Sequence, residues 1–383
     1  MDQDLLAHIE VSASLADVWK PEFIRLDQAG GATRFRSLLG RPGSHVHDSI
    51  RSQVKELVRS LNPSVRYSAD ELDQAADAHV GATAWSAYGV WVFYPWSNRL
   101  VHLLDEAEFA LVRTDRNRNK ITREEQTLLS TKRVGVIGLS VGQSIALTMA
   151  LERSFGEIRL ADHDTLDLSN LNRIRSGVHN LGLRKVVNVA REIMEIDPFL
   201  KVTCFPEGIT RDNIDGFCST GGKLDVLVDE CDSVDVKIYA RQTAKRLGIP
   251  VVMDTSDRGM IDVERFDLEP ERPILHGLID HLDVEAGAKA STNAEKLPFL
   301  LAMVGFDRLS QRLRSSLTEV GKTIVTWPQL SSSVVLGGAL AGDAIRRMFL
   351  GSFRASGRWR ADVEDILLPS NAEMPATSQT LHA

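Results

Sequence analysis

RVGVIGLSVGQSIALTMALERSFGEIRLADHDTLDLSNLNR fills residues 133–173, and its reading decides the fold. RVGVIG (133–138) is a short apolar run ending in glycine, SVGQSIALTMALERS has helical character, and EIRLAD (157–162) is a second apolar run. Together they form a strand, helix, strand unit of about 30 residues. Downstream the alternation continues. A helix from about Gly182 stops at Asp197-Pro198, KVTCF (201–205) reads as a strand, and a helix is expected near 212–218. DVLVDECD (225–232) is a strand, a helix runs through 237–247, and PVVMDTSD (250–257) is a further strand. Strands alternating with helices at this spacing predict an α/β fold with a doubly wound, mainly parallel sheet.

The flanks are less regular. Ile50, Val54, Leu57, Val58 and Leu61 recur at helical spacing between 48 and 61. WSAYGVWVFYPWSNRLVHLL (85–104) holds three of the six tryptophans and reads as two strands joined at Pro-Trp-Ser-Asn. This aromatic hairpin is either packed as core or an exposed edge that accepts a peptide as an extra strand. After Arg258, GMIDVERFDLEP suggests a strand pair, and residues 285–325 are more helical and polar. WPQLSSSVVLGGALAGDAIRRMFLG (327–351) reads as a buried, small-residue helix and GRWRADV as a last strand; a mobile tail is expected over 370–383. The expected organisation is an α+β N-terminal domain over 1–112, a nucleotide-type α/β domain over 113–369 and that tail.

At 383 residues the chain has room for two or three domains. Its 43% hydrophobic and 25% charged content is that of a globular protein, not of a disordered, collagenous or membrane-bundle chain. Lys+Arg 45 against Asp+Glu 52 leaves a net charge of −7, which offers no global field for a nucleic acid or an acidic membrane. Any anionic ligand must be gripped locally. Cys204, Cys218 and Cys231 make neither a CxxC pair nor a zinc knuckle. The N-terminus has no basic stretch or long apolar core, and no apolar run of about 18 residues occurs, so a cytoplasmic location is expected.

The loop after the first strand reads Gly138-Leu139-Ser140-Val141-Gly142-Gln143 and matches a dinucleotide fingerprint poorly. It still points backbone N–H groups and a helix N-terminus at one place, which suits phosphate. Asp162 ends the second strand where a carboxylate can accept from ribose hydroxyls. Asn170 and Arg173 are three apart, so one short helical turn would present both to a ligand, and Lys185 opens the next helix. Amide, guanidinium and ammonium together make a polyphosphate clamp. Asp229-Glu230-Cys231-Asp232 ends another strand on the same carboxyl edge, where carboxylates beside a polyphosphate suit magnesium. Taken singly, each of these charges reads more readily as a solvated loop charge; their joint placement at strand ends reverses that.

From about Arg113 to Leu367 the chain resembles the ThiF/MoeB/HesA family, bacterial relatives of ubiquitin-activating enzymes. The diagnostic pattern Asp-x-Asp-x-x-x-x-Ser-Asn-Leu-x-Arg stands here as Asp162, Asp164, Ser169, Asn170, Leu171 and Arg173. The resemblance implies a ThiF-type Rossmann-like fold that binds ATP and Mg2+. It implies a nucleotide site of Gly138, Ser140, Gly142, Asp162, Asp164, Asn170, Arg173 and Lys185, with Asp232 as magnesium ligand. Catalytic roles fall to Arg173, Lys185, Asp232 and an arginine donated to the partner subunit of a homodimer, Arg118 or failing it Arg116, in RNRNKITREEQ (116–126). Helix 327–351 resembles the family's dimer-side helix.

Where the family loop is Gly-x-Gly-Gly-x-Gly, this chain carries Ser140, Val141 and Gln143. The family's CxxC pairs are absent, and no cysteine stands at the thioester-forming position; Cys231 is expected to be packed. The N-terminal addition resembles the peptide-holding domains of peptide-modifying members of the microcin C and pantocin type. The implied activity is adenylation of a carboxylate on a precursor peptide or small carrier protein, followed by transfer to or cyclisation with a nucleophile. The alternatives are activation of a β-grasp sulfur carrier for molybdopterin- or thiamin-type cofactor synthesis, a nucleotide-binding scaffold without catalysis, and, from the fold alone, a nicotinamide oxidoreductase. Asp257, Arg258 and His276 are further pocket candidates, with ion pairing as the plainer reading.

Overall fold

The structure, a computed structural model, describes residues 14–289 and 293–367. The expected tail over 370–383 lies outside the described residues. Two sheets organise the chain.

The first has four strands in the order β1-β3-β4-β2: β1 (Glu22–Ile24), β2 (His45–Asp48), β3 (Val90–Tyr94) and β4 (Arg99–Leu103). Helices α1 (Gly31–Leu39), α2 (Ile50–Leu61), α3 (Ala69–Val80) and α4 (Glu106–Arg113) accompany it. The helical spacing read over 48–61 becomes α2, with Ile50, Val54, Leu57 and Val58 buried on one face; Leu61 instead is exposed. The aromatic hairpin is β3–β4, and it is interior. Every residue of β3 is buried, Trp91 stacks on His102 with ring centroids 4.1 Å apart, and β1 and β2 cover the two flanks. The edge reading of the hairpin is therefore corrected: the free edge with all residues exposed is β2.

The second sheet has seven strands, ordered β11-β10-β9-β8-β5-β6-β7. Its parallel part comprises β5 (Arg133–Ile137), β6 (Glu157–Ala161), β7 (Lys201–Phe205), β8 (Val226–Asp229) and β9 (Val251–Thr255). Between them run α5 (Arg123–Leu129, before β5), α6 (Gly142–Glu152), α7 (Lys185–Ile196), α8 (Ile214–Ser219) and α9 (Val234–Leu247). Alternate strand residues feed opposite faces: Val134 and Val136 join the core with α6 and α7, while Ile137 and Leu227 join the one with α8 and α9. The sheet is doubly wound, as expected.

The stretch after Arg258 gives one strand rather than a pair, β10 (Met260–Glu264), antiparallel to β9 and to β11 (Gly357–Arg360). Asp257 to Gly259 make the tight return, with Arg258 at φ 57° and Gly259 at φ 51°, so the chain turns back instead of crossing over. Short helices α10 (Val284–Gly287), α11 (Asn293–Val304) and α12 (Gln311–Leu317) precede α13 (Ser331–Phe349), which packs on α6 and β9; α14 (Val363–Leu367) follows β11. The two sheets meet at α7, where Tyr94 Oη donates to Met194 O (3.2 Å) and Trp96 Nε1 to Glu195 Oε1 (2.6 Å). Among the described residues no helix is long and apolar enough to cross a membrane.

Candidate nucleotide site

The carboxyl ends of β5, β6 and β8 bring the predicted residues together. Gly138 leaves β5 at φ +83°, and a Cβ there would fall 2.6 Å from the Glu230 backbone, so a side chain is excluded twice over. Ser140 to Gly142 then enter α6. Val141, the residue that stands out in sequence where the family loop has glycine, is buried.

Asp162, at the end of β6, braces this loop. Its Oδ2 accepts from Leu139 N (2.7 Å) and its Oδ1 from Asp164 N (2.8 Å). Burial raises its pKa, although both N–H groups favour the charged form. Asp164 is exposed, and its Oδ2 takes a hydrogen bond from Lys185 Nζ at 2.8 Å. Burial opposes its ionisation and is outweighed by Lys185, which holds the carboxyl below the usual range.

The expected turn carrying Asn170 and Arg173 exists as a 3-10 helix over Leu168–Asn172, but it does not present both side chains side by side. Asn170 is buried, and its Oδ1 accepts from Asp167 N at 3.1 Å, capping the turn. Arg173 reaches instead to the loop, where Nε donates to Ser140 Oγ (2.8 Å) and Nη1 to Asn172 Oδ1 (2.9 Å). Burial lowers the Arg173 pKa while the Asp232 carboxylate favours its charge, which places Asp232 in the same electrostatic environment.

The acidic cluster, of which Asp232 alone is the expected magnesium ligand, divides in two. Asp229 is fully buried and ion-paired with Lys237 Nζ (3.3 Å) and Arg241. Burial works against its ionisation, yet these two cations hold its carboxyl well below the usual range. Glu230 Oε1 accepts from Asp254 N at 2.7 Å, and burial pushes the Glu230 carboxyl up, with Asp254 adding to the effect. Cys231 Sγ donates to Asp229 Oδ1 at 3.0 Å, and burial raises its thiol well above the ordinary value. Only Asp232 is exposed. Among the described residues no three His, Cys, Asp or Glu groups converge as a metal cage. A lone exposed carboxylate beside a phosphate clamp still suits magnesium, which keeps several waters and takes the rest of its ligands from phosphates.

Other candidates lie elsewhere. Arg118 Nη1 contacts Asp115 Oδ1 (3.1 Å) and Ser60 O (3.5 Å), on the side of the first sheet. Asp257 Oδ2 accepts from Ser310 N (2.8 Å), Arg258 pairs with Asp362 (2.5 Å), and His276 bridges Asp262 and Arg272. Asp257, Arg258 and His276 make structural ties, and Arg258 finds its ion-pair partner 104 residues away rather than in its neighbour. Sequence reasoning missed Lys237, Arg241, Asp254 and the role of Gln143. Gln143 alone carried a signal, since a glutamine where the family loop has glycine, in the first turn of a helix, needs partners.

Residues 114–320 match the model of the ThiF family. The chain belongs to the ThiF family. Protein MT1398 of Mycobacterium tuberculosis is 45% identical to this ThiF-family chain over 277 residues, 72% of the chain and 38% of that relative. The adenylyltransferase and sulfurtransferase uba4 of Ogataea parapolymorpha is 27% identical over 128 residues, covering 33% of the chain and 32% of the relative. The chain thus spans well under two thirds of these relatives. Among solved structures, the Escherichia coli tRNA N6-threonylcarbamoyladenosine dehydratase in complex with ATP is similar at 19% identity and a TM-score of 0.47, covering 65% of this chain and 97% of that one.

Proposed function

We propose that this protein activates a carboxylate as its adenylate. A substrate carboxylate oxygen attacks the α-phosphorus of ATP in line, the bond to the bridging oxygen of the β-phosphate breaks, and pyrophosphate leaves with the electron pair. Such chemistry asks for positioning and charge neutralisation more than for an acid or a base. The observation that carries the reading is the assembly of the glycine-entered loop, Asp162, Arg173, Lys185 and Asp232 on one edge of the parallel sheet, where ligands of this architecture bind.

In this reading Asp162 receives the ribose through lone pairs left over from its two backbone donors, and Arg173 and Lys185 meet the phosphates. Asp232 would hold a magnesium ion, which would supply positive charge against the phosphates when bound. Arg118, exposed on its turn, would serve the second subunit of a homodimer.

The proposed substrate is a carboxylate on a precursor peptide or small carrier protein, with later capture by an amine, amide or sulfur nucleophile. It is supported by the first sheet, whose β2 edge offers unpaired backbone to an extended chain. It is supported also by a relative whose name couples adenylyl transfer to sulfur transfer.

ATP–pyrophosphate exchange tests the proposal. Exchange that requires a peptide or carrier and vanishes in folded Asp232→Ala and Arg173→Ala variants is expected. ATP binding without exchange across a panel of both substrate classes supports the scaffold instead, and tight NAD(H) binding in place of ATP sinks both.

A further inference from the structure

Gln143 lies in the first turn of α6 and is buried. Its carboxamide forms a two-way pair with the backbone of Arg175: Arg175 N donates to Oε1 (2.9 Å) and Nε2 donates to Arg175 O (3.0 Å). The other Nε2 proton goes to the Glu192 carboxylate on α7, at 3.1 Å from Oε2 and 3.3 Å from Oε1. Glu192 Oε1 also accepts from Asn188 Nδ2 (3.2 Å), whose Oδ1 accepts from Ser176 Oγ (2.9 Å). One side chain therefore stitches segment 173–176 to two helices. Two residues upstream, the same segment is tied to the loop a second time by Arg173 Nε and Ser140 Oγ.

Such redundancy exceeds what holding a surface segment needs. Arg175 itself is exposed, and its side chain takes no part in the pair; only its backbone is gripped. What the grip governs is the position of the residue two places before it, Arg173, whose Nη2 makes no hydrogen bond among the described residues. Ser140, having accepted from Arg173, keeps its own hydroxyl proton for another acceptor. A guanidinium fork and a hydroxyl proton are thus held side by side at the α6 N-terminus before any ligand arrives, an arrangement that spares a phosphate ligand the cost of ordering the arm.

We infer that Gln143 is a positioning residue for ATP, acting through Arg173: its pairing with the Arg175 backbone fixes the arginine arm over the loop. The inference rests on the adenylation reading for the identity of the ligand.

The test is a double-mutant cycle on the full chain, read as the ATP·Mg2+ dissociation constant by titration calorimetry. Gln143→Met retains side-chain length and removes the hydrogen bonds, and Gln143→Ala stands in if Met fails to fold by circular dichroism. With Arg173 present, the loss of Gln143 is expected to weaken ATP binding about tenfold; in an Arg173→Ala background it is expected to weaken it by less than about twofold. Equal weakening in both backgrounds means that Gln143 merely supports the fold and overturns the inference, as does unchanged binding. Wild-type protein that binds no ATP is a different result: it overturns the adenylation reading, and the inference with it.

Discussion

The carboxylate of Asp254 on β9 lies directly against Gly337 of α13: a Cβ built on that glycine falls 1.8 Å from Oδ2. Among the described residues neither Asp254 oxygen has a hydrogen-bond partner, and the residue is buried. Alanine at 337 would gain about 1 kcal/mol in helix propensity but must displace a carboxylate that has nowhere to go. The clash wins. Gly337→Ala is expected to lower stability by about 1–3 kcal/mol in chemical denaturation. Gly342→Ala, whose added Cβ meets Thr148 Cγ2 at 3.1 Å, should cost clearly less. Equal stabilities for the two variants contradict this packing.

The same carboxylate gives stability a pH dependence. Burial raises the Asp254 pKa to about 7 from 3.8, and Glu230 beside it is raised too. An acid whose folded pKa lies above its unfolded one stabilises the fold while protonated and loses that contribution as pH climbs from the unfolded value to the folded one. The window here runs from about pH 4 to about pH 7. Asp254→Asn removes the titration and can donate to Glu230. It should raise the thermal midpoint at pH 8, by on the order of 2 kcal/mol in stability, and change it little at pH 4. An identical shift at both pH values speaks against the assignment.

Asp229→Ala leaves Lys237 and Arg241 buried without that counter-charge, although Arg241 keeps Glu264 at 2.6 Å. Removing one member of a buried ion cluster costs about 3–5 kcal/mol. Urea titration is expected to show a loss of that size, whereas Asp232→Ala, at an exposed position, should stay within about 0.5 kcal/mol of wild type. Similar losses for both carboxylates would place Asp232 in the same buried cluster.

The thiols should be inert in the folded state. Burial pushes Cys204 and Cys218 up to about 12, and Cys231 is raised well above its ordinary value by burial and by the Asp229 carboxylate. Because the thiolate is the nucleophile, a maleimide or disulfide reagent at pH 8 is expected to modify these cysteines slowly in native protein and at once in denaturant. Rapid native labelling of Cys231, located by peptide mapping, contradicts its raised thiol pKa and reopens a covalent role for it.

What the sequence determined by itself was everything written in local periodicity and contiguous motif. The strands at RVGVI, EIRLA and KVTCF, α2 and α13, the glycine that must leave β5, and the segment Asp162 to Arg173 were all legible, because backbone preferences and apolar spacing act within a few residues. Tertiary structure decided which charge meets which. Nothing in DVLVDECD separates a buried Asp229 from an exposed Asp232; the alternation of a strand that ends at Asp229 and the approach of Lys237 and Arg241 from α9 do. Asp254 and Gly337 are 83 residues apart, Gln143 and Glu192 49 apart, and only the packing of α13 on β9 and of α7 on α6 brings the two pairs together. The hairpin at 90–103 was readable as two strands, but its place inside the first sheet followed from β1 and β2 flanking it, a choice made by non-local pairing. Electrostatics and close packing depend on distances through space, which residue order along the chain does not encode locally.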